Sequence, residues 1–557
     1  MKKFKIFALS ALTLCAGAMA GTPPTTGGAL QQFAPLPALP APAPKVDIQR
    51  STAPAATDTD TSGLKIVAKS LKVTGSQAFS EAQLIAVTGF KSGSALTLTE
   101  LRGMANMISR YYQDKGYVVA QAHLPAQDIN DGAVTIAVNE GRYGKILVRN
   151  QTNVASTVVT DLLEGLSTGD VVHSDALESK LLLVSDLPGV RVNSALVPGA
   201  ALGETDLMVD VLPGQRVSGS VDADNAGNRY TGAFRLGATI NLNEPLGQGD
   251  VATLRLLTAG AGLNHFRASY QMHIGRAQVG VAYSSLEYAL GDEFESLLAN
   301  GTAYITSFYG SYPLLRSHKT NLYAGLSFDS KRFQDRMDSV GALTEKSART
   351  LTASLNGDHR DSLGGGGHSN YGLTWTTGNI SILTPAARAF DSATVQSNGP
   401  FGKLGFNASR LQSVTKELSL FAGISGQIGS KNLDISEKME LGGLYGVRAY
   451  PEGEAYADRG YLLNLEARLK LPQWAPTSHS EMELIGFVDT GTITLNTNPW
   501  TAGPNQRTLS AVGIALNWSE FRKFAVRATY AHKLGDEPTH SAPDASYRLW
   551  LQAIKYF

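Results

Sequence analysis

The sequence predicts a mainly β protein: a 16-stranded antiparallel transmembrane β-barrel preceded by two smaller α+β units. From Gln215 to Phe557, apolar and polar side chains alternate in segments of roughly 10–14 residues, which is the period of a β-strand. Gly, Asn, Asp and Pro separate about sixteen such segments, as expected between antiparallel strands. After Ala20, no apolar stretch approaches the roughly 20 residues that a transmembrane helix needs.

The segment YLLNLEARLKL, residues 461–471, alternates most clearly, with Leu463 and Leu465 on one face and Asn464 and Glu466 on the other. A soluble β-sandwich would alternate too. The length and number of the segments favour a barrel, because strands in a bilayer must close on themselves to pair every backbone group. The last segment, YRLWLQAIKYF, ends on Phe557, and outer-membrane barrels commonly end on such an aromatic residue.

Residues 1–20 have the three parts of a signal peptide. The chain opens with the positive MKKFK, continues with a short apolar core and reaches Ala18-Met19-Ala20, a cleavage signal. The sole cysteine, Cys15, lies inside this segment, so a mature protein with no disulfide and no Cys-ligated metal is expected. With 48 Lys+Arg against 48 Asp+Glu, the chain has no net charge to recruit nucleic acid.

Residues 21–63 are predicted to be a Pro-rich N-terminal linker. Pro, Ala, Thr and Gly dominate this stretch, and such a composition cannot bury a core. Any helix within it is expected to be brief, around Ala29–Phe33.

The two α+β units are predicted at 64–143 and 144–214. In the first, LKIVAKSLKVTG, GYVVAQAHLP and GAVTIAVNEG have strand patterns, and Thr99–Lys115 has apolar residues at helical spacing. The second has helices at Ser156–Leu163 and Asp175–Leu187 and strands in YGKILVRN, VRVNSALVPG and TDLMVDVLPG. The simplest interpretation is one β-α-α-β-β unit used twice.

Five fragments of the chain are similar, in this order, to parts of one known family. They are YYQDKGY with LPAQDINDGAVTIAVNEGRYG, LLLVSDLPGVRVNSALVPGAALGETDLMVDV, DNAGNRYTGAFRLGATINLNEPLGQGD, YGVRAYPEGEAYADRGYLLNLEARL, and GFVDTG. From about Leu64 onward the chain resembles the two-partner secretion transporters, which export haemolysins, filamentous haemagglutinins and contact-dependent inhibition toxins. This resemblance implies two POTRA domains in front of a 16-stranded barrel at 215–557.

The resemblance also implies a function and a location. The chain is expected to be a translocation pore in the outer membrane of a Gram-negative bacterium, with the POTRA domains in the periplasm. It would recognise and secrete one large β-helical exoprotein, as a non-enzyme that uses no ATP, no cofactor and no metal and binds no nucleic acid. Besides outer-membrane lipid, its expected partners are the barrel-assembly machinery and periplasmic chaperones, with Phe557 as the assembly signal.

A specific residue pair follows from the same resemblance. In this family the sixth extracellular loop, here about residues 438–459, folds into the barrel as a lid, and its arginine meets an aspartate on the inner wall. Mapped onto this chain, the pair is Arg448 and Asp489, and the alternation in EMELIGFVDTG independently turns Asp489 toward the lumen. The accompanying loop and lumen motif residues are Val447, Tyr450, Phe487 and Gly491. The family's N-terminal plug helix has no evident counterpart in the Pro-rich segment.

The exported chain is expected to bind the POTRA units while it is unfolded. The segment YVVAQAH is predicted to be an edge strand that receives an extended segment by β-augmentation. The helices Thr99–Lys115 and Asp175–Leu187 would line the binding groove. The candidate substrate-binding residues are Tyr117, Val118, Val119, Leu177 and Leu181.

Two other classes of function stay open at this point. An insertase that assembles other barrels usually has more POTRA units than residues 64–214 can hold. A barrel enzyme such as a lipase would need a nucleophile elbow, and GLSTG at 165–169 has that pattern but follows a predicted helix, not a strand. The run GGGGH at 364–368 is typical of a flexible hairpin loop and has no evident metal partner.

Overall fold

The computed structural model describes residues 23–31, 48–50, 65–129, 131–201, 203–472 and 479–557. The predicted signal peptide and most of the Pro-rich linker lie outside these residues. Within the linker, the structure shows a helix, α1, at Thr26–Gln31 and a short strand, β1, at Ile48–Arg50. The helix begins earlier than the predicted Ala29–Phe33, and the end of that prediction lies outside the described residues.

Domain 1 is the first α+β unit. Its elements are β2 (Lys65–Ala68), β3 (Ser70–Thr74), α2 (Glu81–Thr88), β4 (Ser94–Thr97), α3 (Leu98–Asp114), β5 (Gln121–His123) and β6 (Ala133–Asn139). Three strands form a sheet in the order β3-β6-β5. Leu101 and Ile108 of α3 share a buried core with Val134 and Ile136 of β6, so the amphipathic face of the helix covers the sheet.

Two strand predictions in domain 1 need correction. The segment LKIVAKSLKVTG forms two strands, because the chain breaks at Lys69 and β2 pairs with β4 instead of joining the main sheet. The predicted strand YVVAQAH is reduced to Gln121–His123. Residues 117–120 form turns in which Val118 and Val119 pack toward domain 2, so tertiary contact overrides their β propensity.

Domain 2 repeats the β-α-α-β-β order. It consists of β7 (Arg142–Asn150), α4 (Ser156–Leu163), α5 (Ser174–Ser185), β8 (Val190–Pro198) and β9 (Glu204–Pro213). Its sheet has the order β1-β8-β9-β7, so the short strand of the linker pairs in parallel with β8. The GLSTG segment lies in the connection between α4 and α5.

The rest of the chain forms a closed barrel of sixteen strands, each antiparallel to its neighbours, which confirms the predicted fold. The strands are β10 (Val217–Asp224), β11 (Arg235–Asn243), β12 (Val251–Thr258), β13 (Leu263–Ile274), β14 (Ala277–Ala289), β15 (Ala299–Arg316), β16 (Thr320–Met337), β17 (Ala342–Asp361), β18 (Gly367–Ile382), β19 (Gly399–Ser413), β20 (Leu418–Gly429), β23 (Arg459–Lys470), β24 (Glu481–Thr494), β25 (Gln506–Glu520), β26 (Phe524–Lys533) and β27 (Tyr547–Tyr556). The two-residue strands β21 (Met439–Glu440) and β22 (Tyr456–Ala457) lie between β20 and β23. None of the described helices is both long and apolar enough to cross a bilayer.

The strands present an apolar outer face and a mixed inner face. On β24, Leu484 and Val488 are exposed on the outside, whereas Ile485, Phe487 and Asp489, which alternate with them, are buried on the inside. This is the alternation that a lipid-facing wall requires. Because β10 leaves domain 2 directly, the end of the barrel where β10 starts is called the proximal end here and the opposite end the distal end.

Domain 2 is fastened to the proximal end of the barrel. Arg316, at the end of β15, donates from Nε and Nη2 to the carboxylate of Asp186, both at 2.7 Å. In the following turn, the backbone N–H of His318 donates to Glu178 of α5 at 2.6 Å. These contacts hold domain 2 beside the proximal opening of the lumen.

Candidate functional site

The connection between β20 and β23, residues 430–458, folds back into the barrel and is called loop 6. It is the sixth connection at the distal end, and it includes most of the loop predicted at 438–459. Val447, Ala449 and Tyr450 have no solvent exposure, and they share one apolar cluster with Phe487 and Ala511 of the wall. A connection of this kind would normally lie on the surface, so its burial shows that the lumen is its binding site.

The structure brings together the two residues of the predicted pair. Arg448 donates from Nε to Asp489 Oδ2 at 2.8 Å and from Nη2 to Oδ1 at 2.7 Å. The backbone N–H of Arg448 also donates to Oδ2, at 3.2 Å. Arg448 is 3% exposed and Asp489 0%. The two side chains therefore form a bidentate fork with little solvent access, which fixes orientation as well as distance.

Further side chains of the wall complete the surroundings of this pair. Arg448 Nη1 donates to Glu466 Oε1 at 2.9 Å, and the guanidinium lies over the ring of Phe487, 3.5 Å from its centroid. Trp550 Nε1 donates to the backbone carbonyl of Arg448 at 2.7 Å. Asp489 also accepts from Asn464 Nδ2 at 2.7 Å. Side chains of three strands, β23, β24 and β27, thus meet at this one arginine.

Asn464 and Glu466 were predicted to lie on the polar face of their strand, with no role assigned to them. The alternation along the strand was the available signal. Residues directly opposite each other on paired strands point to the same face, so the residues opposite Asp489 and Phe487 must face the lumen. Asn464 lies directly opposite Asp489, and Glu466 opposite Phe487, in the register of β23 and β24. No pattern in the sequence indicated the contact of Trp550, since its side chain bonds the backbone of a loop and not a side chain of a paired strand.

The other predicted loop and lumen residues are also in this region. Val447 belongs to the buried apolar cluster, and Tyr450 Oη donates to the backbone carbonyl of Glu537 at 3.0 Å. Gly491 faces loop 6 so closely that a Cβ there would lie 2.4 Å from Leu441 Cδ1. Any side chain at position 491 would therefore push the loop away from the wall.

Loop 6 is tied to the wall by additional ion pairs that the sequence analysis missed. Glu437 lies 2.6 Å from Lys331 Nζ of β16 and 3.0 Å from Lys403 Nζ of β19. Asp434 lies 2.8 Å from Lys346 Nζ of β17. On the other side of the lumen, Glu454 accepts from Arg507 of β25 at 2.8 Å. The three carboxylates are all buried, so the loop is anchored around the circumference of the barrel and not at Arg448 alone.

Helix α1 also lies in the lumen, where the sequence analysis found no counterpart of a plug helix. Thr26 donates from its backbone N and from Oγ1 to Asp335 Oδ1 of β16, at 2.8 and 3.0 Å. Gln31 Nε2 donates to the backbone carbonyl of Ser436 in loop 6 at 3.1 Å. A Cβ at Gly27 would lie 2.8 Å from Ile435 Cγ2, so glycine permits this close approach. The sequence left open whether a plug helix exists, because a six-residue helix rich in small residues carries no pattern beyond composition.

The predicted substrate-binding residues have mixed locations. Tyr117, Val118 and Val119 are partly buried where the two domains meet, and the ring of Tyr117 lies 5.1 Å from that of His173 of domain 2. Leu177 and Leu181 are fully buried in the core of domain 2. They cannot line a groove in this conformation, and their assignment is corrected to core packing, because they occupy the sheet-facing side of α5.

The last residue, Phe557, lies where the barrel closes. Its backbone N–H donates to Gly219 O at 3.1 Å, and its carbonyl accepts from Gly219 N at 3.0 Å. Its ring covers Gly219, since a Cβ there would lie 2.6 Å from Phe557 Cζ. Phe557 thus extends the pairing between β27 and β10. Among the described residues, no group of three or more His, Cys, Asp or Glu side chains is arranged to hold a metal ion.

Comparison with protein families gives two matches. Residues 203–519, more than half of the chain, match the model of the haemolysin secretion/activation protein ShlB/FhaC/HecB. Residues 66–141, which correspond to domain 1, match the ShlB-type POTRA domain.

Characterised relatives extend these matches along the chain. The heme/hemopexin transporter protein HuxB of Haemophilus influenzae (strain 86-028NP) is 30% identical over 472 residues, which are 84% of this chain and 82% of the relative. The outer membrane transporter CdiB of Dickeya dadantii (strain 3937) is 24% identical over 396 residues, 65% of each chain.

Solved structures agree at the level of the fold. CdiB from Escherichia coli superposes with a TM-score of 0.68 at 19% identity, covering 90% of this chain and 92% of that chain. CdiB from Acinetobacter baumannii gives a TM-score of 0.59 at 17% identity and covers 99% of this chain and 97% of that one. Together with the family model and the 30% identical relative, these findings show that the chain belongs to the haemolysin secretion/activation family, the outer-membrane transporters of two-partner secretion.

Proposed function

We propose that this outer-membrane transporter secretes one large β-helical exoprotein, and that loop 6 acts as a lid which must leave the wall before the exported chain can pass. The proposal goes beyond the family's general role, the secretion of partner proteins through an outer-membrane pore. The observation that carries it is the state of the lumen: two segments of the same chain, loop 6 and α1, occupy it and are held by buried polar contacts.

The contacts of loop 6 support a reversible lid better than a permanent plug. Besides the apolar cluster around Val447 and Tyr450, the loop holds the wall through ion pairs and hydrogen bonds centred on Arg448, Glu437 and Glu454. Buried ion pairs have a large desolvation cost, so replacing them by water or by polar groups of a passing chain costs less than exposing an apolar core of equal size. A lid held in this way can open without unfolding the barrel.

Domain 1 offers a surface for recruitment. Strand β5, Gln121–His123, lies at an edge of its sheet, and a partner strand could extend this edge once Ser109 Oγ of α3 releases the backbone N–H of Ala122, which donates to it at 2.8 Å. At the corresponding position in domain 2, β8 is already paired with β1 of the linker. We therefore place the first contact with the unfolded exoprotein at β5, close to the turn formed by Tyr117, Val118 and Val119.

Movement through the pore is proposed to need no nucleotide. The sequence has no GxxxxGK[ST] phosphate-binding motif. A β-helical exoprotein that folds outside the cell would supply the free energy, because each folded turn prevents that part of the chain from sliding back. The barrel would need only to open and to guide the chain.

The relatives suggest which exoproteins to test first. HuxB, a heme/hemopexin transporter protein, is 30% identical, and the match covers 82% of its length. The CdiB relative of Dickeya dadantii is 24% identical, and the match covers 65% of its length. This difference favours an exported partner that handles heme or hemopexin, with a contact-dependent inhibition toxin as the second candidate.

The test is deletion of the gene followed by mass spectrometry of the secreted proteins and of the outer membrane. We expect the loss of one large secreted protein, restored by the wild-type gene but only weakly by Arg448→Ala. If several outer-membrane barrels decline instead, the protein is an assembly factor. If the secreted proteins are unchanged, the export role is wrong.

A further inference from the structure

Three arginines gather on the outer face of strands β16 and β17. Side chains of one strand alternate between the two faces, so Arg332 and Arg336 continue the outward series of Phe328 on β16. On β17, Arg349 continues the outward series of Leu351 in the same way. All three arginines are exposed and lie in the distal halves of their strands.

The strand register makes two of these arginines neighbours. Arg332 lies opposite Ser347, and Ser330 lies opposite Arg349. Arg332 and Arg349 are therefore diagonal neighbours on one face, with Cα atoms about 7–8 Å apart. Two guanidinium groups at this spacing can bind one phosphate group from both sides, each with its planar fork.

The arginines lie at the edge of the apolar band. Phe328 lies opposite Phe308, so the row below them is aromatic and faces the lipid chains. Tyr304 lies opposite Arg332 in the same register. Aromatic side chains of this kind mark the interface between lipid chains and headgroups. The arginines are thus placed at the headgroups of the outer leaflet, because the distal end faces away from the periplasmic POTRA domains.

On this face, three arginines stand against one nearby carboxylate, that of Glu345. Among the residues that the structure describes, no acidic side chain forms an ion pair with any of them. The acidic side chain on the same face, Glu345, accepts a hydrogen bond from Gln334 at 2.9 Å instead. By contrast, Lys331 and Lys346, which face the lumen on the same two strands, both form ion pairs with loop 6.

A polar cleft adjoins the arginines. It has a volume of about 450 Å³ and is lined by Asn379 and Ser381 of β18 and by Arg388 of the helix α6 (Pro385–Ala393). Asn379 lies directly opposite Arg349 in the register of β17 and β18. The cleft therefore offers hydrogen-bonding groups for a sugar headgroup beside the site for a phosphate.

We propose that Arg332, Arg336 and Arg349 bind the phosphates of an outer-leaflet glycolipid, lipid A, with its sugars at the cleft beside Arg388. Its acyl chains would lie along the aromatic and aliphatic wall below the arginines. This pairing matches positive charge to phosphate and apolar surface to lipid chains, the two requirements of specific lipid recognition. The proposal concerns the outer wall and is independent of secretion through the lumen.

The test uses the full-length transporter in detergent micelles, titrated with bisphosphorylated lipid A, with bound lipid counted by native mass spectrometry. In the double variant Arg332→Gln with Arg349→Gln, we expect the affinity to fall at least about tenfold, because charge-assisted hydrogen bonds to the phosphate are lost. The matched control, Arg459→Gln with Lys416→Gln, also removes two exposed charges, one at the distal end on β23 and one in a proximal turn. It should bind as the wild type does.

Two further ligands test whether binding needs both the phosphates and the acyl chains. Dephosphorylated lipid A should bind wild type and double variant equally weakly, and glucosamine 1-phosphate, which lacks acyl chains, should not compete. Equal lipid A binding by the double variant and its control would overturn the proposal, as would full competition by the soluble phosphosugar. Because the substituted side chains are exposed, unchanged heat-modifiable mobility on gels is expected and establishes that the barrels are folded.

Discussion

At Arg448, a bidentate fork, a second ion pair and an aromatic ring meet in a space with almost no solvent access. Such a group contributes little net stability, because desolvation offsets most of the attraction, but removing one member leaves the others uncompensated. The surroundings are unequal: without Asp489, Arg448 keeps the carboxylate of Glu466. Without the Arg448 side chain, Asp489 keeps only neutral donors, the amide of Asn464 and the backbone N–H of residue 448.

Arg448→Ala and Asp489→Ala should each weaken the hold on loop 6 by up to about 3–5 kcal/mol, the cost of breaking a buried pair. Secretion per inserted barrel should fall in both, because a loop 6 that is no longer positioned on the wall can obstruct the path of the exported chain. The double variant should be little worse than Arg448→Ala, since the shared contact is already lost. Arg459→Ala removes an exposed arginine just beyond the loop and is the control. Single losses that multiply in the double variant would mean that the two residues act independently.

Glu244 predicts a pH dependence outside the membrane. It is buried in the proximal turn between β11 and β12, and burial, reinforced by nearby Asp250, raises the pKa of its carboxyl to about 7. Because this value exceeds the ordinary 4.5, the folded state binds the proton more tightly than the unfolded state. Its contribution to stability is complete below about pH 4.5 and is lost as the pH rises through 7.

Glu244→Gln should remove this dependence, because the amide resembles the protonated acid. Thermal unfolding of the purified transporter, followed from about pH 5 to 8, should show a decline for the wild type and a flatter profile for the variant. Glu417→Gln, in an exposed proximal turn, is the matched control and should keep the wild-type slope. Identical slopes in Glu244→Gln and wild type would contradict the assignment.

Among the elements, the first and last strands, β10 and β27, close the barrel. Their pairing is short: Ser220–Asp224 of β10 lie opposite Gln552–Tyr556 of β27. The two backbone hydrogen bonds between Phe557 and Gly219 extend it. Deleting Phe557 removes both bonds and the ring, whereas Phe557→Lys keeps the backbone bonds.

Both Phe557 variants should lower the amount of inserted barrel and leave secretion per barrel unchanged. A charge near the interface costs the folded barrel only about 0–1 kcal/mol, so a large loss with Phe557→Lys would point to recognition during assembly. A loss confined to the deletion would point to the closing bonds. Normal barrel levels with poor secretion would exclude both explanations. The measurement is the heat-modifiable fraction in outer membranes, with secreted partner per folded barrel.

Helix α1 leads to a prediction about conductance. Gly27→Val would place side-chain atoms against Ile435 and Ser436 of loop 6, so the helix should leave its site in the lumen. Purified barrels in planar bilayers should then conduct ions more often than wild type. Gly486→Val is the matched control, because a Cβ at Gly486 meets no atom within 4 Å. Equal conductance of the two variants would show that α1 does not limit the pore.

In the molecule as a whole, the barrel closes through its own strands, and domain 2 is fastened to it by Arg316 and His318. Domain 1 contacts domain 2 through the turn at Tyr117 and through a hydrogen bond between His173 Nε2 and Lys115 O at 3.1 Å. Removing residues 65–139, which ends before β7 of domain 2, should therefore leave a folded, inserted barrel but abolish export. Heat-modifiability and the secreted amount of partner measure the two effects. Secretion at the wild-type level would rule out recruitment by domain 1.

The barrel could be predicted from local sequence alone. One face of each strand meets lipid and the other faces the lumen, so apolar and polar residues alternate with a period of two. This alternation is enough to place Asp489 and Glu466 on the inner face. Family resemblance supplied the pairing with Arg448. Short elements escaped prediction where their conformation depends on neighbours, as in the turns at 117–120, which pack on domain 2.

The contents of the lumen could not be predicted before the strands were assembled into a barrel. Thr26 and Asp335, or Glu437 and Lys331, lie far apart in the sequence, and each is an ordinary polar residue in its own segment. Their contacts arise because closure of the barrel brings sixteen inner faces around one small volume, in which a buried charge must find a partner. Periodicity specifies which way a side chain points, but it cannot specify which loop or helix it meets there.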